Sequence, residues 1–199
     1  MKTRRILPMA LALAALSTSS VSAGPQYVGV DDCGRCHKKE LVGNQLAAWK
    51  KGKHSQAIET LKSEEAVRIA KEKGLSVPPH EADECLRCHA TAHGLEAAQI
   101  FRKPLDVSDG VQCESCHGPG SHYRKKTAHA KSHEKALAAG MWEPGKDEKI
   151  CTECHNSESP TFESFDFEER KKEIEHPIPE ENKGRVLELE KAERDARKG

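Results

Sequence analysis

Apolar residues fall along this chain in short, helix-spaced sets separated by long polar stretches. In "KKELVGNQLAAWKKG", Leu41, Val42, Gln45, Leu46 and Trp49 lie near one helical face, which predicts a helix just after residue 38. "SEEAVRIAKEKG" predicts a second helix with both ends marked. Ser63 is its N-cap, Glu64 and Glu65 fill its first turn, Lys71 and Lys73 its last, and Gly74 stops it. "SVPPH" reads as a linker. "YRKKTAHAKSHEKALAAG" predicts a helix ended by Gly140, and "FDFEERKKEIEHP" another ended at Pro177. No stretch alternates in the period-two manner of a strand. The pattern is that of a mainly α protein with long loops.

The two ends differ from this. "MKTRR", "ILPMALALAAL" and "STSSVSA" form a basic, an apolar and a small-residue segment, the layout of a secretory signal peptide over residues 1–23, cleaved after Ala23. Its apolar run is too short for a membrane anchor, which needs about 18 such residues. Nothing later is apolar enough to span a bilayer. The mature product is therefore expected in the periplasm or outside the cell, without stable membrane insertion. The last segment, residues 180–199, carries twelve charges and reads as a solvated helix or a frayed tail.

Composition raises a difficulty for the part between, residues 24–179. Hydrophobic residues make up 36% of the chain, aromatic residues 4% and charged residues 32%. So little apolar material borders on disorder: either the chain is unfolded or something else fills the interior. Lys and Arg balance Asp and Glu at 32 each, which gives no basic excess to hold nucleic acid.

The cysteines supply the answer. All eight fall in "CGRCH", "CLRCH", "CESCH" and "CTECH": Cys33 and Cys36, Cys85 and Cys88, Cys113 and Cys116, Cys151 and Cys154, each pair followed at once by histidine. This is the covalent attachment pattern of c-type haem. The thiols add to the vinyl groups, and His37, His89, His117 and His155 become proximal iron ligands. In a chain of this composition one chance match is expected about 0.02 times. Four disulfides would not need a histidine after each pair, nor would Cys₂His zinc sites. Four haem c groups (iron) also fill the missing core.

Seven histidines remain for the sixth positions: His54, His80, His93, His122, His129, His133 and His176. Met141 is the only methionine after residue 23, so the ligation should be mostly bis-histidine. His93 follows His89 by four residues, which reach at most about 14 Å fully extended. Crossing to the opposite face of one haem needs about 12 Å directly, with no slack to pass the ring edge. His93 is thus a poor sixth ligand for the haem held by His89, and that haem is a candidate for an open site.

The motifs together resemble the tetrahaem cytochrome c-554 family, first known as the electron acceptor of hydroxylamine oxidation. The likeness runs from about Tyr27 to His176. It rests on "CGRCHKKELVGNQLAAWKKGKHSQAIETL", with Trp49 and then His54 at the family's distance, on "CLRCHATAHG", on "GVQCESCHGPG" and on "CTECHNSESPTFESFDFEERKKEIEHP". The resemblance implies helices wrapped around haems in overlapped stacked pairs, three of them bis-histidine and the second five-coordinate. It implies His54 as sixth ligand of the third haem and His176 as that of the fourth. For the first haem, His122, His129 and His133 compete, and the family's spacing agrees best with His129. "GPG" after His117 reads as a tight turn close to the macrocycle.

Three functions follow as expectations. The first is electron transfer between a donor and an acceptor redox protein, with no protein nucleophile or acid–base group required. The second is redox chemistry on nitric oxide, hydroxylamine or a similar small molecule at the open second haem, with His93 as proton donor. The third is a conduit in which protomers self-associate haem to haem.

Overall fold

The computed structural model describes residues 24–127 and 132–198. Ten α-helices carry the described residues: α1 (Val30–His37), α2 (Gln45–Lys51), α3 (Ala57–Thr60), α4 (Glu64–Glu72), α5 (Asp83–His89), α6 (Cys113–His117), α7 (His133–Ala138), α8 (Glu148–Thr152), α9 (Phe167–Ile174) and α10 (Val186–Ala196). Short 3-10 turns and loops join them. The nearest thing to a sheet among the described residues is one isolated parallel bridge, between Tyr27 and Ile100. The architecture is mainly α, as the periodicity predicts.

Local chemistry accounts for the helix ends. Ser63 caps α4, its hydroxyl accepting from the Ala66 amide at 3.2 Å. At the other end Leu75 N–H bonds Ala70 O at 2.9 Å and Gly74 N–H bonds Lys71 O at 3.1 Å, the paired bonds of a Schellman stop. The helix expected after residue 38 is split. Gly43 and Asn44 are both left-handed, and α2 starts afresh with Asn44 as its cap. The helix expected to end at Gly140 is also shorter, because Ser132 caps α7 and starts it at His133. The final segment takes the helical alternative and is anchored rather than frayed at one point. Glu190 of α10 is buried, pairing with Lys39 at 2.8 Å and Lys126 at 3.1 Å.

The protein-only core is thin. Of the buried apolar residues, Ala57, Ala70, Ala82, Ala90 and Ala136 are alanines, and none is Phe or Trp. At about 25 cal/mol per Å² such small side chains contribute little each. One apolar cluster, Ile58, Leu61, Leu86 and Ala90, joins α3 to α5. A second part of the interior, around residues 26–30, is held by buried hydrogen bonds to Gln112 and Glu114.

Candidate functional site

Three of the cysteine pairs lie on short helices, and the fourth begins on one. Cys33, Cys36 and His37 end α1; Cys85, Cys88 and His89 end α5; Cys113, Cys116 and His117 make up α6. Cys151 sits in α8, and the hydrogen bond from His155 N–H to Cys151 O, at 3.0 Å, carries the helical path through the fourth histidine. Residues i, i+3 and i+4 share one face of a helix, so both thiols and the histidine of each motif point the same way. Acidic residues in the first turn of each helix favour its short hydrogen-bonded path: Asp31 and Asp32, Asp83 and Glu84, Glu114, Glu148.

All eight cysteines are free. Burial pushes Cys116 up to about 11 and Cys154 to about 12, and raises Cys85 and Cys151 as well. The hydrogen bond to Cys113 raises Cys33 and lowers Cys113. Among the described residues no three His, Cys, Asp or Glu side chains gather where they could hold a metal ion by themselves. Thiols spread along helices in this way do not build a tetrahedral zinc site. They do suit addition to a flat macrocycle lying on each helix.

The motifs touch one another in a definite order. Cys33 of the first hydrogen-bonds Cys113 of the third, and α1 packs on α6. α6 in turn packs on α8, and Cys151 adds to the raising of the Cys116 thiol. Cys154 of the fourth hydrogen-bonds Cys88 of the second, and beside them Arg87 pairs with Glu158 at 2.6 Å. The order is first, third, fourth, second.

Histidine rings complete the geometry. His54 and His155 have ring centroids 6.0 Å apart with their planes at 55°, and His117 and His176 have centroids 6.0 Å apart with their planes at 79°. Two imidazoles on opposite sides of one metal, each nitrogen roughly 2 Å from it, would have ring centres about 6 Å apart. Both gaps therefore fit a bis-histidine centre. The partnership differs from the one implied by resemblance, which set His54 against the third motif and His176 against the fourth. The physical reason is the packing. α3, just after His54, lies on α5, whose Cys88 adjoins the fourth motif. Past His176, Pro177 lies against Gly43, a few residues after the first motif, whose helix α1 packs on α6.

Backbone contacts hold these rings. His54 O accepts from Val111 N–H at 3.0 Å, and Trp49 Nε1 donates to Val111 O at 2.8 Å. Gly110, at φ +65°, lies so close that a Cβ there would sit 2.7 Å from His54 O. His89 Nδ1 donates to Ala57 O at 2.9 Å, His37 Nδ1 to Gln45 Oε1 at 3.0 Å and His176 Nδ1 to Ile174 O at 2.7 Å. Each bond leaves Nε2 as the bare nitrogen, the tautomer a metal requires. Burial lowers His54 and His155, which keeps both rings neutral.

The remaining histidines separate. His93 folds back over α5, its Nε2 3.6 Å from Asp83 Oδ1, and faces no other imidazole among the described residues. This agrees with its short reach. His133 Nε2 is taken by Glu143 at 2.8 Å, and His122 is exposed. His80 keeps a buried Nδ1 without a hydrogen-bond partner. His129 lies outside the described residues.

Two groups escaped the sequence reading. Glu114, between the cysteines of the third motif, is fully buried. Its carboxylate accepts from Val28 N–H at 2.9 Å, Gly29 N–H at 2.8 Å and Gly120 N–H at 2.6 Å. Burial pushes its pKa up while those donors pull it down. Gln112 beside it accepts from Val30 N–H at 2.8 Å. The signal was present in "QCESCHGPG": a carboxylate inside the motif, with a glycine turn behind it to donate. In that turn Gly118, at φ +76°, has the Trp142 indole where a Cβ would be, at 2.8 Å.

Comparison with known proteins bears on this arrangement. The family described as "Cytochrome c554 and c-prime" matches residues 32–118. The chain is 31% identical over 150 residues to the protein "Cytochrome c-554" of Nitrosomonas europaea, a match covering 70% of this chain and 61% of that relative. The chain thus spans less than two thirds of that relative's length. No solved structure matches it.

Proposed function

We propose, from the premise that the chain belongs to the cytochrome c-554 family, that it is an exported carrier passing electrons between redox partner proteins through four haem c groups. The family implies covalent haem c as the cofactor. The count of four rests on the four attachment helices. When bound, the haems supply one-electron chemistry at potentials set by their axial ligands and burial.

The chain's own residues do the rest. Cys33 and Cys36, Cys85 and Cys88, Cys113 and Cys116, and Cys151 and Cys154 hold the four groups, with His37, His89, His117 and His155 as proximal ligands. His54 together with His155, and His176 together with His117, would each hold the iron of one haem. His129 takes the sixth position in the first site on the family resemblance alone, and the second site is open. Residues 1–23 act as the export signal. Among the described residues no helix is long and apolar enough to cross a membrane. The observation that carries the reading is the pair of 6.0 Å imidazole gaps within a continuous first–third–fourth–second line of motifs.

Intact mass and pyridine haemochrome absorbance test it together. Four haems per chain on a polypeptide starting at Gly24 is the expected result; fewer, or thiols that stay free, defeats it. In electron paramagnetic resonance, His54→Ala and His176→Ala should each turn one low-spin haem high-spin.

A second reading has one observation in its favour. Among the described residues no imidazole ring faces His89, and His93 is turned back toward Asp83. A small nitrogen species such as nitric oxide or hydroxylamine could then reach that site. Carbon monoxide binding to one haem in four, with turnover lost in His93→Ala, would favour it. Four saturated haems would end it.

A further inference from the structure

The two ends of the line of motifs differ in how their charges are distributed. Around the first, residues 30–56 hold six Lys and Arg side chains against three carboxylates. Those carboxylates are already engaged. Asp32 pairs with Arg35 at 3.2 Å and Arg124 at 2.6 Å, Asp31 with Lys103 at 2.8 Å, and Glu40 accepts from Asn44 at 2.6 Å. Lys39 is held by Glu190. Lys38, Lys50, Lys51 and Lys53 are left exposed and, among the described residues, in no ion pair.

Some lysines on or next to other helices are paired locally. Lys62, Lys171 and Lys172 each pair with a glutamate three residues back. α1 packs on α2, and α2 on the 3-10 turn Lys53–Gln56, which brings the four free lysines into one region of the fold, with Lys38 and Lys50 on a common groove. A groove of about 280 Å³ opens there on Val30, Leu46 and Trp49, with Lys38 and Lys50 at its rim and Asp109 the nearest free carboxylate. The segment leading into the second motif is acidic, with Lys73 the cation that acts on Cys85 from α4's end. Glu81, Asp83 and Glu84 are exposed just before Cys85, and the nearby Arg87 is taken by Glu158.

We propose that the lysine face beside α1 docks the acidic surface of a redox partner protein, and that the carboxylate-rich end at α5 does not serve that partner. The proposal rests on the electron-carrier reading above. A local excess of unpaired cations steers an anionic surface toward the groove and raises its association rate. The apolar floor then supplies a small, short-lived contact, as suits redox encounters. Without residues 1–23, which carry Lys2, Arg4 and Arg5, 29 Lys and Arg face 32 Asp and Glu, so the molecule as a whole offers no attraction to an anionic surface and any steering must come from the patch.

The test uses the full haem-loaded protein and an acidic flavodoxin as probe. Flavodoxin hydroquinone gives one electron to a ferric haem, becoming semiquinone as that haem becomes ferrous, and stopped-flow absorbance follows the rate. Between about 10 mM and about 300 mM salt the rate should fall roughly tenfold or more. Lys50→Glu/Lys51→Glu should lose about as much at low salt. Lys50→Arg/Lys51→Arg should keep the rate, and Glu81→Lys/Glu84→Lys should change it less than about twofold. Carbodiimide cross-linking should join flavodoxin carboxylates to Lys38, Lys50, Lys51 or Lys53. A full haem load with a salt-independent rate, or cross-links at other lysines, overturns the docking face. So does cross-linking of these lysines to Glu81 or Glu84 of a second copy, which would make the chain its own partner. A chain lacking haem overturns the carrier reading instead, and haemochrome absorbance tells the two failures apart.

Discussion

The half of the molecule holding the first and third motifs and the half holding the second and fourth solve the same problem with different forces. In the first, the segment from Gln26 to Val30 is laced to the third motif by hydrogen bonds. Gln26 exchanges bonds with Ser121, Val28 and Gly29 donate to Glu114, and Val30 donates to Gln112. In the second, α3 and α5 meet through Ile58, Leu61, Leu86 and Ala90, with Cys85 packed on that cluster. Directional bonds set one arrangement and penalise every other, because an unmade buried bond costs its full desolvation. An apolar cluster sets volume more than register and tolerates swaps of similar size. The bonded half should therefore be the more exacting of the two.

The sharpest way to break that contrast is Glu114→Ala, which leaves the amides of Val28, Gly29 and Gly120 without their acceptor. A loss on the order of 3–5 kcal/mol is expected from buried unsatisfied donors, read by urea denaturation. The spectra of the first and third haems should change while the others hold. A loss below about 1 kcal/mol would mean that water replaces the carboxylate and the half is not specially ordered.

Leu86→Ala comes next, at about 2–4 kcal/mol for a truncated core leucine, with the disturbance confined to the second and fourth sites. Leu86→Met should cost less than about 1.5 kcal/mol. An equal cost for the two substitutions would contradict the tolerance assigned to this half.

The smallest effect is expected from Glu190→Gln, about 1 kcal/mol at neutral pH, because the lysines it holds are partly solvated. Hydrogen bonding to Lys39 lowers the Glu190 pKa, burial opposes this, and Lys126 adds to the lowering. A carboxylate lowered in the folded state contributes stability above its unfolded pKa and loses it as pH falls through the folded one. Thermal melts should therefore show wild type and Glu190→Gln converging in acid and separating toward neutral pH. Parallel curves would place the effect elsewhere.

Much of this was legible in the residues. The four motifs, the mainly α character, the caps at Ser63 and Gly74 and the short reach of His93 all depend on neighbours within a few positions. The split at Gly43 and Asn44 was missed because helical spacing continues across it. The late start of α7 was missed because Ser132 competes with the longer apolar pattern. Glu114 and Glu190 look like ordinary surface carboxylates in sequence, and only their long-range partners bury them.

By itself, then, the sequence determined where each thiol pair and its histidine stand, since a spacing of three and four residues suffices to bring them onto one helix face. The tertiary structure alone decided which motif adjoins which, and that His54 stands near His155 while His176 stands near His117. Those meetings join residues 59 to 101 positions apart. No local propensity acts over such a span; it is closed by the packing of α3 on α5, α1 on α6 and Pro177 on Gly43.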